Sequence, residues 1–487
     1  MVPWTVTIGL SCYVLLTLGI GIYAGRRIKG SHDFIVAGRR LGVVLATGTL
    51  AATWFGGGIV IGAASEAYKH GFLGVIADPF GAALCLILAG LFYVRLMRRM
   101  GLTTIAEFFT IRYGKSAGVV AAICTIPTYV GWVASLMVAF GRIIQTLTGL
   151  DPTWAIVIGA VIVLIYTTAG GMWAVTLTDF IQVSVLVIGL LILTPILLHD
   201  MGGWDAIRAQ LPDDRFYLYP HDAKWTSWFH YARDWLVIGL GNLAGQDLMQ
   251  RSLSSRSETV AQNSAYLSAI LYLTVGLIPV FLGISAKLIF PNLEDPDMVM
   301  MKLGQTYLPP LGMAIFLGAL VSALMSSADS ALLAPASVIG NDLANYFISN
   351  INEDKKLFIC RLCVPILGLI ALYLALSKNT IYSLMVDSWS VLLATLFVPL
   401  TAGIWWSKAN HWGAISSMAV GGLAWQIFLW TTPDMPADLL AVPFALIALG
   451  LVSVVTSKTH PPKPLQDAFG NTLAYRDRIG ILFREPK

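Results

Sequence analysis

Thirteen apolar windows divided by short polar breaks run along this chain of 487 residues, and that pattern leaves few ways to fold. The windows are 4–24, 42–67, 72–94, 116–148, 153–169, 173–196, 229–244, 260–289, 310–340, 356–377, 381–407, 410–430 and 438–457. A helix needs about 20 residues to cross the hydrocarbon core of a bilayer. Every backbone amide in that medium must find its partner within the protein, so such windows become helices. Only 12% of the residues are charged and 57% are hydrophobic, whereas a soluble domain carries about 25% charged residues. The mean hydropathy is +0.74. These values exclude a disordered segment, a coiled coil and an ordinary cytosolic enzyme. The expected class is an all-α membrane protein of about 13 transmembrane helices, with 153–169 and 229–244 the weakest windows.

Charge placement orients the spans, because cytoplasmic loops collect Lys and Arg. If the first window ends inside, the inner loops hold 16 basic residues and the tail six, together 22 of the 31 in the chain. The outer loops hold seven, at Lys69, Arg208, Arg215, Lys224, Lys287, Lys302 and Lys378. The expectation is N-terminus out and C-terminus in. The first window has no basic run before it and is followed by Arg26, Arg27 and Lys29, so it reads as a span and not a cleaved leader. Residues 1–457 then form one transmembrane domain. Residues 458–487 form a short polar cytoplasmic tail that opens on Pro461, Pro462 and Pro464 and is too short for a catalytic domain. Cys12, Cys85, Cys124, Cys360 and Cys363 read as plain thiols without a disulfide framework.

Two windows make poor helices. The second holds Gly56-Gly57-Gly58 and the seventh Gly239, Gly241, Asn242 and Gly245. Each glycine costs a helix interior about 1 kcal/mol relative to alanine. The two windows open two runs of five, spans 2–6 (42–196) and 7–11 (229–407). Interrupted helices at matching places in two halves point to inverted repeats with a site near the midplane.

Polar residues at membrane depth are few. Ala323, Ser326, Ser327 and Ser330 lie three or four apart and share a helix face. Their hydroxyls suit a hard monovalent cation such as Na+, with carbonyls from unwound backbone near Ala52 and Phe55. Asp329 is a carboxylate inside a span and a functional candidate, with structural pairing to Arg142 or Arg233 as the other reading. Asp179, after Thr176 and Thr178, reads as an acid at the inner mouth or as a helix-start acid. Asp78, Asp234, Asp247 and Asp387 fall near span ends and read as solvated. Trp54 and Trp132 are central in their windows, where an aromatic face binds a cationic head group or simply packs.

Several runs carry a family resemblance. Tyr166-Thr167-Thr168-Ala169-Gly170-Gly171-Met172-Trp173-Ala174-Val175-Thr176-Leu177-Thr178-Asp179-Phe180-Ile181-Gln182 resembles the signature of the sodium:solute symporter family. Thr104-Ile105-Ala106-Glu107-Phe108, Gly245-Gln246-Asp247 with Gln250-Arg251, and Met325-Ser326-Ser327-Ala328-Asp329-Ser330 resemble further motifs of the same family. The likeness runs from about residue 5 to 457. It implies a LeuT-type fold of thirteen helices in a 5+5 inverted repeat. It also implies a sodium site on the carbonyls of Ala52, Phe55 and Ala323 and the hydroxyls of Ser326 and Ser327. Asp179, Asp329 and Ser330 would serve a further cation site or the exit path. The second-span run is most similar to the high-affinity choline transporter branch, and the resemblance puts Trp54 and Trp132 on two aromatic positions of that branch's choline cage; the solute is expected against Trp54, Gly56, Gly57, Trp132, Gly245 and Gln246. The chain departs from that branch at Ala82, where the branch has tyrosine, and at Gly245, where it has tryptophan.

The reading is a Na+-coupled symporter in the cell membrane that imports a small organic solute, a quaternary amine such as choline being one candidate. An amino acid or a carboxylate, with Na+ or H+ as driver, is the alternative. A solute sensor without net transport is a third reading. Nothing suggests an enzyme, since H-E-x-x-H is absent and no His stands beside a nucleophile. The expected partners are the solute, Na+ and the lipid bilayer, with no nucleic acid, and a monomer would suffice for transport.

Overall fold

A computed structural model describes residues 4–25, 28, 30–348, 350–377, 381–475 and 478–479. Among the described residues the regular structure is helical, without a named strand. Among the described residues, nine helices are long and apolar enough to cross a membrane, including Lys115–Thr148, Gly171–Asp200, Pro310–Phe347 and Glu353–Ser377. Val43–Trp54 and Pro152–Ile165 are shorter apolar helices. Large apolar side chains face outward along these helices, including Ile165, Leu369, Tyr373, Leu423 and Leu451. A soluble monomer rarely exposes such a surface, and a bilayer covers it. All five cysteines are free.

Loops that alternate along the sequence gather at two opposite ends. At one end Arg98 Nε donates to the Ser255 carbonyl at 2.7 Å, Arg99 pairs with Glu258 at 3.0 Å and His411 Nδ1 lies 2.6 Å from the Tyr113 carbonyl. The tail joins this end, where the Ala468 amide donates to the Arg99 carbonyl at 3.1 Å. At the other end Arg142 pairs with Asp295 at 3.2 Å, and Arg215 Nη1 donates to the Tyr68 carbonyl at 3.0 Å. His230 Nε2 lies 3.0 Å from the Asp434 carbonyl there. The loops read as inner meet one another, and so do the loops read as outer.

Both predicted interruptions are present. The helix Val43–Trp54 ends at Phe55 (φ −71°, ψ 47°), and the chain becomes helical again from Gly58. The helix Trp225–Gly239 gives way to a short tight turn, Gly241–Ala244; Gly245 is extended, and Gln246–Ser254 resumes. A third interruption lies at Asp78 (φ −143°, ψ 114°), just before Pro79. The proline ring disfavours helical backbone in the residue before it, which turns Asp78 out of the helix. A fourth separates the fifth and sixth windows at Gly171 (φ 54°). A Cβ there would lie 2.6 Å from Phe34 and 2.8 Å from Ile28, so glycine alone serves both the backbone angle and the packing.

Candidate cation and solute sites

Three helices meet at the first interruption. Ser327 Oγ donates to the Thr53 carbonyl at 2.6 Å, and Ser326 Oγ donates to Asp179 Oδ1 at 2.6 Å. Thr49 Oγ1 donates to Asp179 Oδ2 at 2.5 Å. A Cβ on Gly56 would stand 1.9 Å from Ser327 Oγ and 3.5 Å from the Ala323 carbonyl oxygen. The absence of a side chain at position 56 is what lets the broken helix approach the serine helix. Ala52, Phe55 and Ala323 are buried at the same junction. The arrangement concentrates hydroxyl, carbonyl and carboxylate oxygens, the ligand type that hard cations take.

Deeper along the serine helix, Ser330 Oγ donates to the Ser326 carbonyl at 2.8 Å and lies 3.3 Å from Asp329 Oδ1. Arg251 donates to Ser330 Oγ, and to the Asp247 carbonyl at 3.1 Å. The charge count puts Arg251 at the inner rim, but it is 1% exposed. Arg142 pairs with Asp295, and Arg233 with Asp438 at 3.0 Å and Asp387 at 3.3 Å. Neither takes the role of an Asp329 partner.

The second site is an aromatic cavity beside the same break. Its wall includes Trp54, Gly56, Gly58, Asp78, Ala82, Trp132, Ile238, Asn242, Tyr272, Met385 and Trp389, and the free space between them is about 20 Å³, room for about one water in this state. Trp132 and Trp389 are 5.2 Å apart by ring centroids, and Tyr272 meets Trp54 edge-on at 6.2 Å. Trp54 is fixed from behind: its Nε1 donates to Asp247 Oδ2 at 2.5 Å. Tyr129 donates its hydroxyl to Asp247 Oδ1 at 2.6 Å and accepts the Asp247 amide at 2.9 Å. A Cβ on Gly245 would fall 1.8 Å from Asn242 Oδ1 and 2.8 Å from Asp247 Oδ1. The glycine leaves the room these two side chains fill, and a tryptophan there would displace both.

The residues named from the sequence separate into groups. Trp54, Gly56 and Trp132 line the cavity. Gly57 packs against Leu324, Ala139 and Leu136. Gly245 shapes the second interruption. Gln246 spends its carboxamide elsewhere, accepting from the Ile105 amide at 2.7 Å and donating to Ser337 Oγ at 3.2 Å. Sequence reasoning missed Tyr272, Trp389, Met385 and Asp78 on the wall. It also took Asp78 and Asp247 for solvated span-end acids, whereas they are 4% and 0% exposed. Asp78 carried the signal that singled out Asp329, a carboxylate within an apolar run.

A profile of the sodium:solute symporter family matches residues 34–421. The chain belongs to the sodium:solute symporter family. It is therefore a multi-pass membrane transporter and not an enzyme. Curated relatives include the human high affinity choline transporter 1, 30% identical over 442 residues, with 85% of this chain and 75% of that protein covered. The osmoregulated proline transporter of Bacillus subtilis is 25% identical, with 96% and 97% covered. The sodium/pantothenate symporter of Haemophilus influenzae is 28% identical, with 85% and 88% covered. Among solved structures, a Na+-coupled sialic acid symporter in a substrate-bound outward-open state superposes with TM-score 0.81 at 19% identity, covering 95% of this chain and 100% of the other. MhsT in complex with L-phenylalanine superposes at 0.56 with 16% identity, covering 86% and 98%. The fold is the LeuT-type arrangement.

Proposed function

We propose that this symporter imports a small organic cation together with Na+, by alternating access across the plasma membrane. The observation that carries the reading is the cavity wall, which among the described residues includes Trp54, Trp132, Trp389, Tyr272 and Asp78 and neither Lys nor Arg. An aromatic face attracts a desolvated cation by about 2 kcal/mol or more. A solute carboxylate would meet no partner of opposite charge on that wall, so the amino acid and carboxylate readings have less support. Choline is the cation that the human relative's name supplies.

Sodium would bind where the carbonyls of Ala52, Phe55 and Ala323 and the hydroxyls of Ser326 and Ser327 meet. Asp179 would serve as the acid that hands Na+ on, and Asp329 with Ser330 as a further cation site. Trp54 ends the helix that the sodium site shares, so Na+ that fixes this break also fixes one wall of the cavity. Coupling then follows from differential affinity, with each ligand favouring the state the other binds. Thirteen spans, N-terminus out and C-terminus in, and a monomer as the working unit complete the proposal.

The test is uptake of labelled choline into proteoliposomes with and without an inward Na+ gradient, with unlabelled choline, dimethylethanolamine, proline and pantothenate as competitors. Gradient-driven uptake displaced by the amines alone is expected. Equal uptake without the gradient rejects sodium as driver. Uptake that follows a pH gradient points to protons.

A further inference from the structure

We propose that the cavity prefers an ammonium ion that still bears an N–H over a fully methylated one, and that Asp78 is the residue that distinguishes them. This rests on the proposed reading of the solute as an organic cation.

Asp78 stands in the cavity wall with its Oδ1 buried and without a hydrogen-bond partner. Two further wall residues carry buried polar atoms left unpaired, the Tyr272 hydroxyl and Asn242 Oδ1. The neighbouring carboxylate makes the contrast. Asp247 is equally enclosed, but its two oxygens are taken by Trp54 and Tyr129. One acid of the region therefore builds the wall, and the other has bonding capacity to give.

Burial without a partner is costly for a carboxylate. The interruption before Pro79 holds Asp78 in place at the wall, so it cannot turn to solvent without moving the third span. Gly58 borders it closely: a Cβ there would lie 3.5 Å from Asp78 Oδ2 and 2.0 Å from Met385 Sδ.

A protonated primary, secondary or tertiary amine can donate N–H to Asp78 while its carbon groups rest on the rings. A charge-assisted bond of this kind brings N and O to about 2.7–2.9 Å. A quaternary ammonium has no proton to donate, and its methyl groups hold the nitrogen farther off. It keeps the ring attraction and loses the bond. Ala82 adds no ring to the wall and Asp78 adds an acceptor, which suits a protonated head group more than a fully methylated one.

The test uses purified full-length protein in Na+ and a series that differs only in N-methylation: ethanolamine, N-methylethanolamine, N,N-dimethylethanolamine and choline. Calorimetry gives each Kd. From dimethylethanolamine to choline the affinity should fall at least about tenfold, the size of one hydrogen bond to a charged group. In Asp78→Asn both ligands lose the attraction of the carboxylate, and the step between them should shrink below about threefold. Retention of the Na+-induced thermal shift would show that the variant is folded. Choline binding as tightly as dimethylethanolamine in the unaltered protein overturns the inference without the variant. So does a full step that survives in Asp78→Asn. If choline binds tightly under either result, the organic-cation reading stands and only the role of Asp78 falls. If no member of the series binds and an amino acid or carboxylate does, that reading fails as well.

Discussion

The two sites share the broken helix around residues 52–58 but satisfy their polar groups in opposite ways. At the serine junction, Ser326, Ser327, Thr49 and Asp179 bond to one another and to backbone. In the aromatic cavity, Asp78, Asn242 and Tyr272 keep buried polar atoms unpaired. A cation entering the serine junction must therefore replace hydrogen bonds already made. A solute entering the cavity gains bonds that the protein lacks. This difference suits the first place to a small ion that reorganises hydroxyls and the second to a ligand that brings its own donors.

The largest effect should come from the serine junction. Ser326→Ala with Ser327→Ala should weaken Na+ activation by about 100-fold, the loss of two oxygen ligands each comparable to a hydrogen bond to a charge. Solute binding in K+ should remain, and a sodium titration of uptake reads this directly. If Na+ dependence survives the pair, the junction is not the sodium site and the comparison breaks.

Comparable in size is the acid behind the wall, Asp247. Asp247→Ala removes the acceptor of both Trp54 and Tyr129 and leaves buried donors unpaired. The cost should be about 2 kcal/mol of stability or more, from two buried donors each left unpaired at about 1–3 kcal/mol. Thermal unfolding in detergent should show it, and Asp78→Asn should not, because Asp78 has no partner to lose. Equal destabilisation by the two would erase the distinction between them.

How much of this was legible in the sequence depends on the range of the interaction. Windows, interruptions and the serine face are local patterns, and period and glycine content revealed them. Gly56 could be named because three glycines stand together, although its reason, the approach of Ser327 to within contact, needs the fold. Tyr272 and Trp389 come from distant spans, and nothing local distinguishes them from packing aromatics. Asp78 and Asp247 have the same appearance in sequence, an acid near the end of an apolar run. Their opposite states depend on Trp54 and Tyr129 reaching one and not the other. Arg251 misled the charge count for a related reason, since its neighbour Arg256 does lie at a loop while Arg251 turns inward to Ser330.

Two smaller effects sharpen the comparison. Trp54→Ala should weaken solute binding about 10–30-fold, the scale of one cation–π contact in a desolvated site. Trp154→Ala, at a side chain 64% exposed, should change it by less than about twofold, since surface substitutions stay within about 0.5 kcal/mol. Comparable losses at both positions would mean that the cavity is not where the solute binds.

The central claim is that Na+ and an organic cation cross together because each completes the site of the other. The most direct measurement is entry of labelled sodium into proteoliposomes, with and without dimethylethanolamine outside, at fixed membrane potential. The amine should accelerate sodium entry in the unaltered protein and have no effect on the Ser326→Ala, Ser327→Ala protein. Sodium entry indifferent to the amine, while the amine itself still enters, would contradict it.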